Sequence, residues 1–221
     1  MQSQYKVVLR RLFIIQLVLL LSACSNFMKK ESVSSVKPTI KTPTEKQNLW
    51  KLRQRSLETK HQWSLDARAG LNYQNEPTSF GLFWQQKDKA IFLLDIKNPF
   101  TGAVVASLNQ GLNTVSLKTS NGAVYKANNA ETLLEEQTGM SLPILGMQSW
   151  IKGLSSKKYS VELLELDALG RPLKMKQAGW DINYTSYLND TALSLPRKIK
   201  ISRADEKDIQ IKLLIKAWQS L

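Results

Sequence analysis

The chain has 221 residues, 43% of them apolar, with 31 Lys and Arg against 18 Asp and Glu, one His and one Cys. That length fits one ordinary domain with a real core; a single cysteine excludes a disulfide framework, and a single histidine excludes two-His and three-His zinc sites. A net charge of +13 would suit nucleic acid or an anionic surface, so its placement along the chain decides its meaning.

Lys6, Arg10 and Arg11 precede an apolar run from Leu12 to Leu21, followed by Ser22, Ala23 and Cys24. A basic start, a short apolar stretch and small residues at a cleavage point describe a secretory signal. The run is too short for a spanning helix of about 20 apolar residues. The Leu21-Ser22-Ala23-Cys24 string resembles the lipobox of bacterial lipoproteins, which implies cleavage after residue 23 and lipidation of Cys24. Ser25 stands where an Asp would retain a lipoprotein in the inner membrane, so the resemblance points to the outer membrane. Losing residues 1–23 removes three of the positive charges and no negative one, leaving +10.

Residues 24–46 carry Lys29, Lys30, Lys37, Lys41 and Lys46 among many Ser and Thr, without an apolar period. They read as a flexible tether, able to reach about 70 Å when extended. Residues 47–221 then form the folded domain. Residues 46–62 contain no Gly or Pro and predict a helix, with Leu49, Trp50 and Leu57 as a narrow apolar stripe and His61 on its surface.

Alternation of period two follows. Leu65–Tyr73, Ser79–Gln86, Ala90–Ile96, Ala103–Asn109, Thr114–Lys118 and Ala123–Ala127 predict six strands. Turn chemistry separates them at Asn75–Pro77, Lys87–Lys89, Asn98–Gly102, Gln110–Gly111 and Asn121–Gly122. Ala90–Ile96 is apolar at nearly every position, which predicts burial on both faces. Asn128 or Asn129 can cap a helix that Gly139 ends, and Pro143 can open a second helix running to Gly153. Glu131, Glu135 and Glu136 read as helix-end and solvated charges, not as a catalytic pair. Strands return at Tyr159–Leu166, Leu173–Gln177, Trp180–Tyr184, Leu195–Ser202 and Ile209–Trp218, with turns at Asp167–Arg171 and Arg203–Lys207.

These elements make a mainly β fold with an α lid: a curved, unclosed antiparallel half-barrel of about eleven strands covered by short helices. Few short helices cover so large a concave face poorly. Patterning alone allows either an apolar cavity or a solid core. Arg197, Lys198, Lys200, Arg203, Lys212 and Lys216 alternate with Ile199, Ile201, Ile209, Ile211 and Leu213 as the wet face of a sheet. Attraction to phospholipid headgroups and plain solubility both account for them, and nucleic acid is not an expected partner. No cofactor, no metal and no enzyme activity are expected, and the chain reads as a monomer.

Several strings share one further resemblance. They are Phe83-Trp84-Gln85-Gln86, Asn98-Pro99-Phe100, Gly139 through Pro143 with Trp150-x-x-Gly153-Leu154, Gln177-x-Gly179-Trp180-x-x-x-Tyr184, Leu195-Pro196 and the terminal Trp218. In this order, behind a lipobox, they resemble the LolB family of LolA/LolB-like lipoprotein carriers over essentially the whole mature chain. Two departures stand out: Thr101 separates Phe100 from Gly102 where the family turn is tighter, and Ser155 replaces a common Pro.

The resemblance implies an outer-membrane receptor facing the periplasm. It would accept triacylated lipoproteins from a LolA-like periplasmic carrier, hold their acyl chains in an apolar cavity and insert them into the inner leaflet of the outer membrane. Partners would then be carrier, lipoprotein and outer-membrane phospholipid. By the same resemblance Pro99, Phe100, Thr101 and Gly102 would form the membrane-insertion loop; an aromatic in a turn has no strand-periodic reason to be there, and on the residues alone folding back onto the sheet is the favoured reading. Trp84, Leu94, Trp150, Trp180, Ile182, Ile211 and Leu213 are candidates for the cavity wall. The competing reading is a structural outer-membrane lipoprotein with a filled core, acting as an assembly scaffold through surface contacts.

Overall fold

The structure, a computed structural model, describes residues 41–203 and 209–219. The expected signal segment, Cys24, the tether up to residue 40 and most of the Arg203–Lys207 turn lie outside the described residues.

Helix α1 runs over Pro43–Glu58, starting and ending earlier than the composition suggested. Its start is fixed by a reciprocal cap. The Glu45 backbone N–H donates to Thr42 Oγ1 at 3.2 Å, and the Thr42 N–H donates to Glu45 Oε2 at 2.7 Å. Those hydrogen bonds lower the Glu45 carboxyl below its usual range. Pro43 has the backbone angle a first helical turn needs. Trp50, Arg53 and Leu57 are the buried stripe. His61 lies past the helix end and is half-exposed.

Eleven strands follow the expected order: β1 Trp63–Tyr73, β2 Glu76–Gln86, β3 Phe92–Lys97, β4 Val104–Gln110, β5 Val115–Thr119, β6 Val124–Ala127, then β7 Val161–Leu166, β8 Pro172–Gln177, β9 Trp180–Tyr187, β10 Pro196–Arg203 and β11 Ile209–Gln219. Pro77 falls inside β2, not in the turn. Gln74 and Asn75 both take positive φ (52° and 64°) and make a two-residue hairpin turn by themselves. Pro77 is tolerated because β3 pairs with β2 only from Gly81 onward, leaving that part of β2 a local edge. The β3 segment is not buried on both faces: Phe92 and Leu94 are buried while Ile91 and Leu93 are half-exposed.

All eleven strands form one antiparallel sheet in the order β6-β5-β4-β3-β2-β1-β11-β10-β9-β8-β7. Two meanders meet where β1 pairs with β11 from Ser64↔Gln219 to Tyr73↔Ile209. The sheet does not close, so β6 and β7 are its edges. The chain between those edges must cross the sheet, and the crossing carries α2, Ala130–Thr138, and α3, Ile144–Trp150. Leu133 of α2 and Ile144, Met147 and Trp150 of α3 join the core cluster of inward strand residues, which puts both helices over the inner, concave face. Asn129 caps α2 by accepting from the Thr132 N–H at 2.8 Å, and Gly139 ends it at φ 70°. Pro143 offers α3 no side-chain cap; Glu131 Oε1 of α2 accepts the Leu145 N–H at 3.3 Å instead.

Candidate functional site

The concave face is filled differently on its two sides. Under β8–β10 it is solid. Trp150 and Trp180 lie with ring centroids 6.4 Å apart. Gln177, wholly buried, uses its full hydrogen-bonding capacity: its oxygen accepts from Trp150 Nε1 at 2.8 Å and from the Ser156 N–H at 2.9 Å, and its nitrogen donates to the Ser156 and Tyr159 carbonyls. Tyr184 donates to the Trp150 carbonyl at 2.9 Å. Burial raises the hydroxyl pKa of Tyr184 and of Tyr187 above the ordinary tyrosine value.

Arg53 joins α1 to this block. It is fully buried, and its guanidinium donates to four carbonyls, those of Lys152, Gly153, Ala192 and Ser194, at 2.7–3.2 Å. Desolvation lowers its pKa, but an arginine stays charged in proteins. Sequence reasoning passed over it, although Trp50, Arg53 and Leu57 share one helical stripe.

Under β1–β6 the concave face encloses a hollow of about 350 Å³. Its sheet wall is Leu82, Trp84, Leu94, Leu108, Leu117 and Leu213, and its helical wall is Leu134, Ile144 and Met147. Among the described residues no charged side chain lines it. The hollow exists partly because two inward positions carry small residues, Ala69 and Ala106, where a branched side chain would reach inward. Tyr125, Gln137 and Thr138 are exposed members of the lining and mark where it opens, between edge strand β6 and the C-terminal end of α2. Trp84 forms the closed end, packed on Trp63 and Phe92 with centroids 5.7 and 5.6 Å away.

Of the expected wall residues, Trp84, Leu94, Ile211 and Leu213 line this hollow. Trp150, Trp180 and Ile182 do not, and that expectation is corrected: they belong to the solid block, where both tryptophans are tied down and Ile182 pairs with Met175 and Ile201. The helical lining residues and the two alanines were missed. Small residues at inward strand positions were the available signal.

The turn between β3 and β4 is on the same end of the sheet as the opening, since β3 runs from its pairing with Gln86 towards Gly81. Asn98 Oδ1 accepts the N–H groups of Phe100 (2.9 Å) and Thr101 (3.0 Å), the Gly102 N–H donates to the Asn98 carbonyl at 2.9 Å, and Thr101 Oγ1 accepts the Ala103 N–H at 3.3 Å. Gly102 takes φ 74°. Pro99 stiffens the entry. The additional residue Thr101 is therefore absorbed into the turn. The outcome is a rigid tip that holds Phe100 away from the sheet with 89% of its surface exposed. Val104, Val105, Val124 and Tyr125 nearby are exposed as well. A largely apolar hollow that opens at the sheet end where an aromatic is displayed can hold hydrocarbon and touch an apolar phase.

A family model described as outer membrane lipoprotein LolB matches residues 61–218. The chain is 30% identical to the outer-membrane lipoprotein LolB of Pseudomonas fluorescens over 96% of both chains. It is 33% identical to that of Alkalilimnicola ehrlichii, over 73% of this chain and 78% of the relative. For Pseudomonas aeruginosa the identity is 32%, over 77% and 80%. Among solved structures, a LolA superfamily protein from Nitrosomonas europaea superposes with a TM-score of 0.50 at 8% identity, covering 80% of this chain and 93% of that one. A DUF1329 family protein from Desulfovibrio piger gives 0.53 at 8% identity, covering 80% and 92%. At such identities these two show the fold alone. The sequence matches carry the assignment: this chain belongs to the LolB family of outer-membrane lipoproteins.

Proposed function

We propose that the protein is the outer-membrane receptor that takes lipoproteins from a LolA-like periplasmic carrier, seats acyl chains in the hollow under β1–β6, and releases them into the inner leaflet of the outer membrane. Family membership supports the receptor role, the lipoprotein cargo and the carrier. The observation that carries the rest is the uncharged hollow opening at the sheet end where Phe100 is displayed. Cys24 is the lipid attachment point, and the residues between it and Thr42 are the tether.

No step needs a nucleotide or a covalent intermediate; transfer follows affinity downhill. At about 30 Å³ per water-sized group, the hollow takes roughly a dozen methylenes. Each is worth about 0.8 kcal/mol out of water, so one tail gains on the order of 10 kcal/mol there. A triacylated cargo has far more hydrocarbon than this, and only the bilayer takes all of it. The receptor thus holds enough of a tail to accept cargo, and too little to keep it once lipid is in reach. Phe100 brings lipid into reach. Burying one Phe yields about 1.5–3 kcal/mol, too little to anchor a body but enough to orient a tethered one, and the exposed valines beside the opening add to it.

The test is transfer to liposomes. Phe100→Glu is expected to accept lipoprotein from the carrier as the parent does and to deliver it at less than a tenth of the rate. Undiminished delivery overturns the role of the turn. Failure of the mature chain to bind a fluorescent fatty acid one-to-one overturns the hollow as the acyl site and leaves the scaffold reading.

A further inference from the structure

A second concavity, about 670 Å³ and more open, lies at the opposite end of β3, between the end of α1, the β2–β3 turn and the segment after α3. Its charged lining is Arg55, Lys60, Lys89, Lys152 and Lys157 against one carboxylate, Glu58. That carboxylate is already engaged, with Lys157 Nζ at 2.8 Å and Gln54 Nε2 at 3.1 Å. Lys152 is only 8% exposed, and its ammonium reaches just the Leu57 and Lys60 carbonyls, at 3.4 and 3.3 Å. Gln148 also lines the cleft, and its Nε2 is buried without a hydrogen-bond partner among the described residues. A buried cation and a buried amide donor with so little to bind are costly arrangements unless an acceptor arrives. Donors are in surplus here, and the missing component is an anion.

We propose that this cleft is a docking site for an acidic segment of a soluble protein partner, an extended stretch bearing two or more carboxylates. Its cations are spaced, not convergent. Arg55 comes from α1, Lys60 from just past its end, and Lys89 from the β2–β3 turn. Cations brought by separate segments to the walls of one cleft of about 670 Å³ suit an extended stretch with several carboxylates better than one small anion. The cleft faces away from the Phe100 turn. On the reading that Phe100 meets the bilayer, membrane headgroups are out of its reach and a partner approaching from the water is not. Lys152 and Gln148 form the floor, where a carboxylate from the partner meets a desolvated ammonium. The exposed cations above set the approach.

The experiment is a fluorescence-anisotropy titration of a labelled hexaglutamate peptide with the full mature chain in an uncharged detergent. The double variant Lys60→Glu, Lys89→Glu is expected to weaken binding at least tenfold. The double variant Lys198→Glu, Lys212→Glu, on the convex face of the sheet, is expected to change it less than twofold. Equal losses in both variants mean that net charge alone attracts the peptide and overturn the proposal, as does the absence of binding. Inorganic phosphate that displaces the peptide where chloride of equal ionic strength does not makes this a phosphate site and overturns it too. So does a loss, in the Lys60/Lys89 variant, of binding to phosphatidylglycerol vesicles. Phe100→Glu is expected to leave peptide binding unchanged. If that variant delivers cargo normally while the peptide result holds, the membrane role of the turn fails and the cleft stands.

Discussion

The two sides of the concave face are built from the same strand patterning and end in opposite states. Beneath β8–β10, two tryptophans fill the space and Gln177, Tyr184 and Arg53 lock it with hydrogen bonds that run between elements. Beneath β1–β6, most of the lining is aliphatic, two of its inward residues being alanine, and Phe80, Trp84 and Tyr125 are its aromatic members. Aliphatic walls make contacts that can be exchanged for contacts with a hydrocarbon guest at little cost. Hydrogen-bonded blocks cannot yield in that way, because each opened pair leaves a buried polar group unsatisfied. Stability and cargo space are thus separated along one sheet.

The largest contrast should come from truncation. Trp150→Ala removes a fully buried indole and leaves Gln177 short of a donor, so we expect a loss of about 4 kcal/mol in urea unfolding. Leu94→Ala, on the wall of the hollow, is expected to cost about 2 kcal/mol, because that side chain already borders empty space on one side. Equal losses would show that the hollow is as tightly supported as the block. Arg53→Met stands between them at about 3 kcal/mol, since four carbonyls lose their donor while the packing volume is roughly kept.

Additions to the chain should invert the pattern. A Cβ on Gly146 would stand 2.8 Å from Cζ2 of Trp150, so Gly146→Ala is expected to destabilise by about 1–3 kcal/mol despite its better helix propensity. Ala106→Phe places a far larger group into the hollow. It should leave stability within about 1 kcal/mol while weakening a fluorescent fatty-acid probe at least tenfold, and a probe that binds unchanged would show that the tail sits elsewhere.

How much of this was readable beforehand differs between the same two regions. Strand number, order and most boundaries followed from alternation and turn residues, which are local signals. The α1 start was equally local, a Thr42-Pro-Thr-Glu45 capping box, and was overlooked because the surrounding Lys and Thr residues resemble a linker. The fate of Trp150 and Trp180 was not local at all. Both are inward-facing aromatics, and only the placement of Gln177 across from them decides that they form a block and not a cavity wall. The hollow depends on absent volume at Ala69 and Ala106, and a missing side chain gives a periodicity analysis nothing to count. The exposure of Phe100 was not legible in the residues alone, since a lone aromatic in a turn more often folds back onto the sheet; the resemblance pointed outward, and the Asn98 hydrogen bonds that hold the tip out are a matter of turn geometry.

The smallest expected effect concerns Lys152, at the foot of the block. Burial lowers its ammonium pKa below the ordinary 10.5, the nearby Glu58 only partly opposing this. A base whose folded pKa is depressed binds fewer protons folded than unfolded in the interval between the two values. Its burial penalty is therefore fully present at neutral pH and is lifted as pH rises through the folded value towards 10.5. Tyr184 and Tyr187 act in the reverse sense as pH rises through the ordinary tyrosine value of 10, where the unfolded hydroxyls ionise and the buried ones do not, so stability falls there. Urea unfolding of parent and variant from pH 7 to pH 10 isolates the lysine as the difference between the two. We expect Lys152→Met to be more stable than the parent at pH 7 and to lose part of that advantage by pH 10; both proteins carry the tyrosines, so the difference between their curves reads the lysine. A gap that stays constant across this range would mean that Lys152 keeps its proton throughout, and that Glu58 and the α1 carbonyls compensate its burial more fully than their distances suggest.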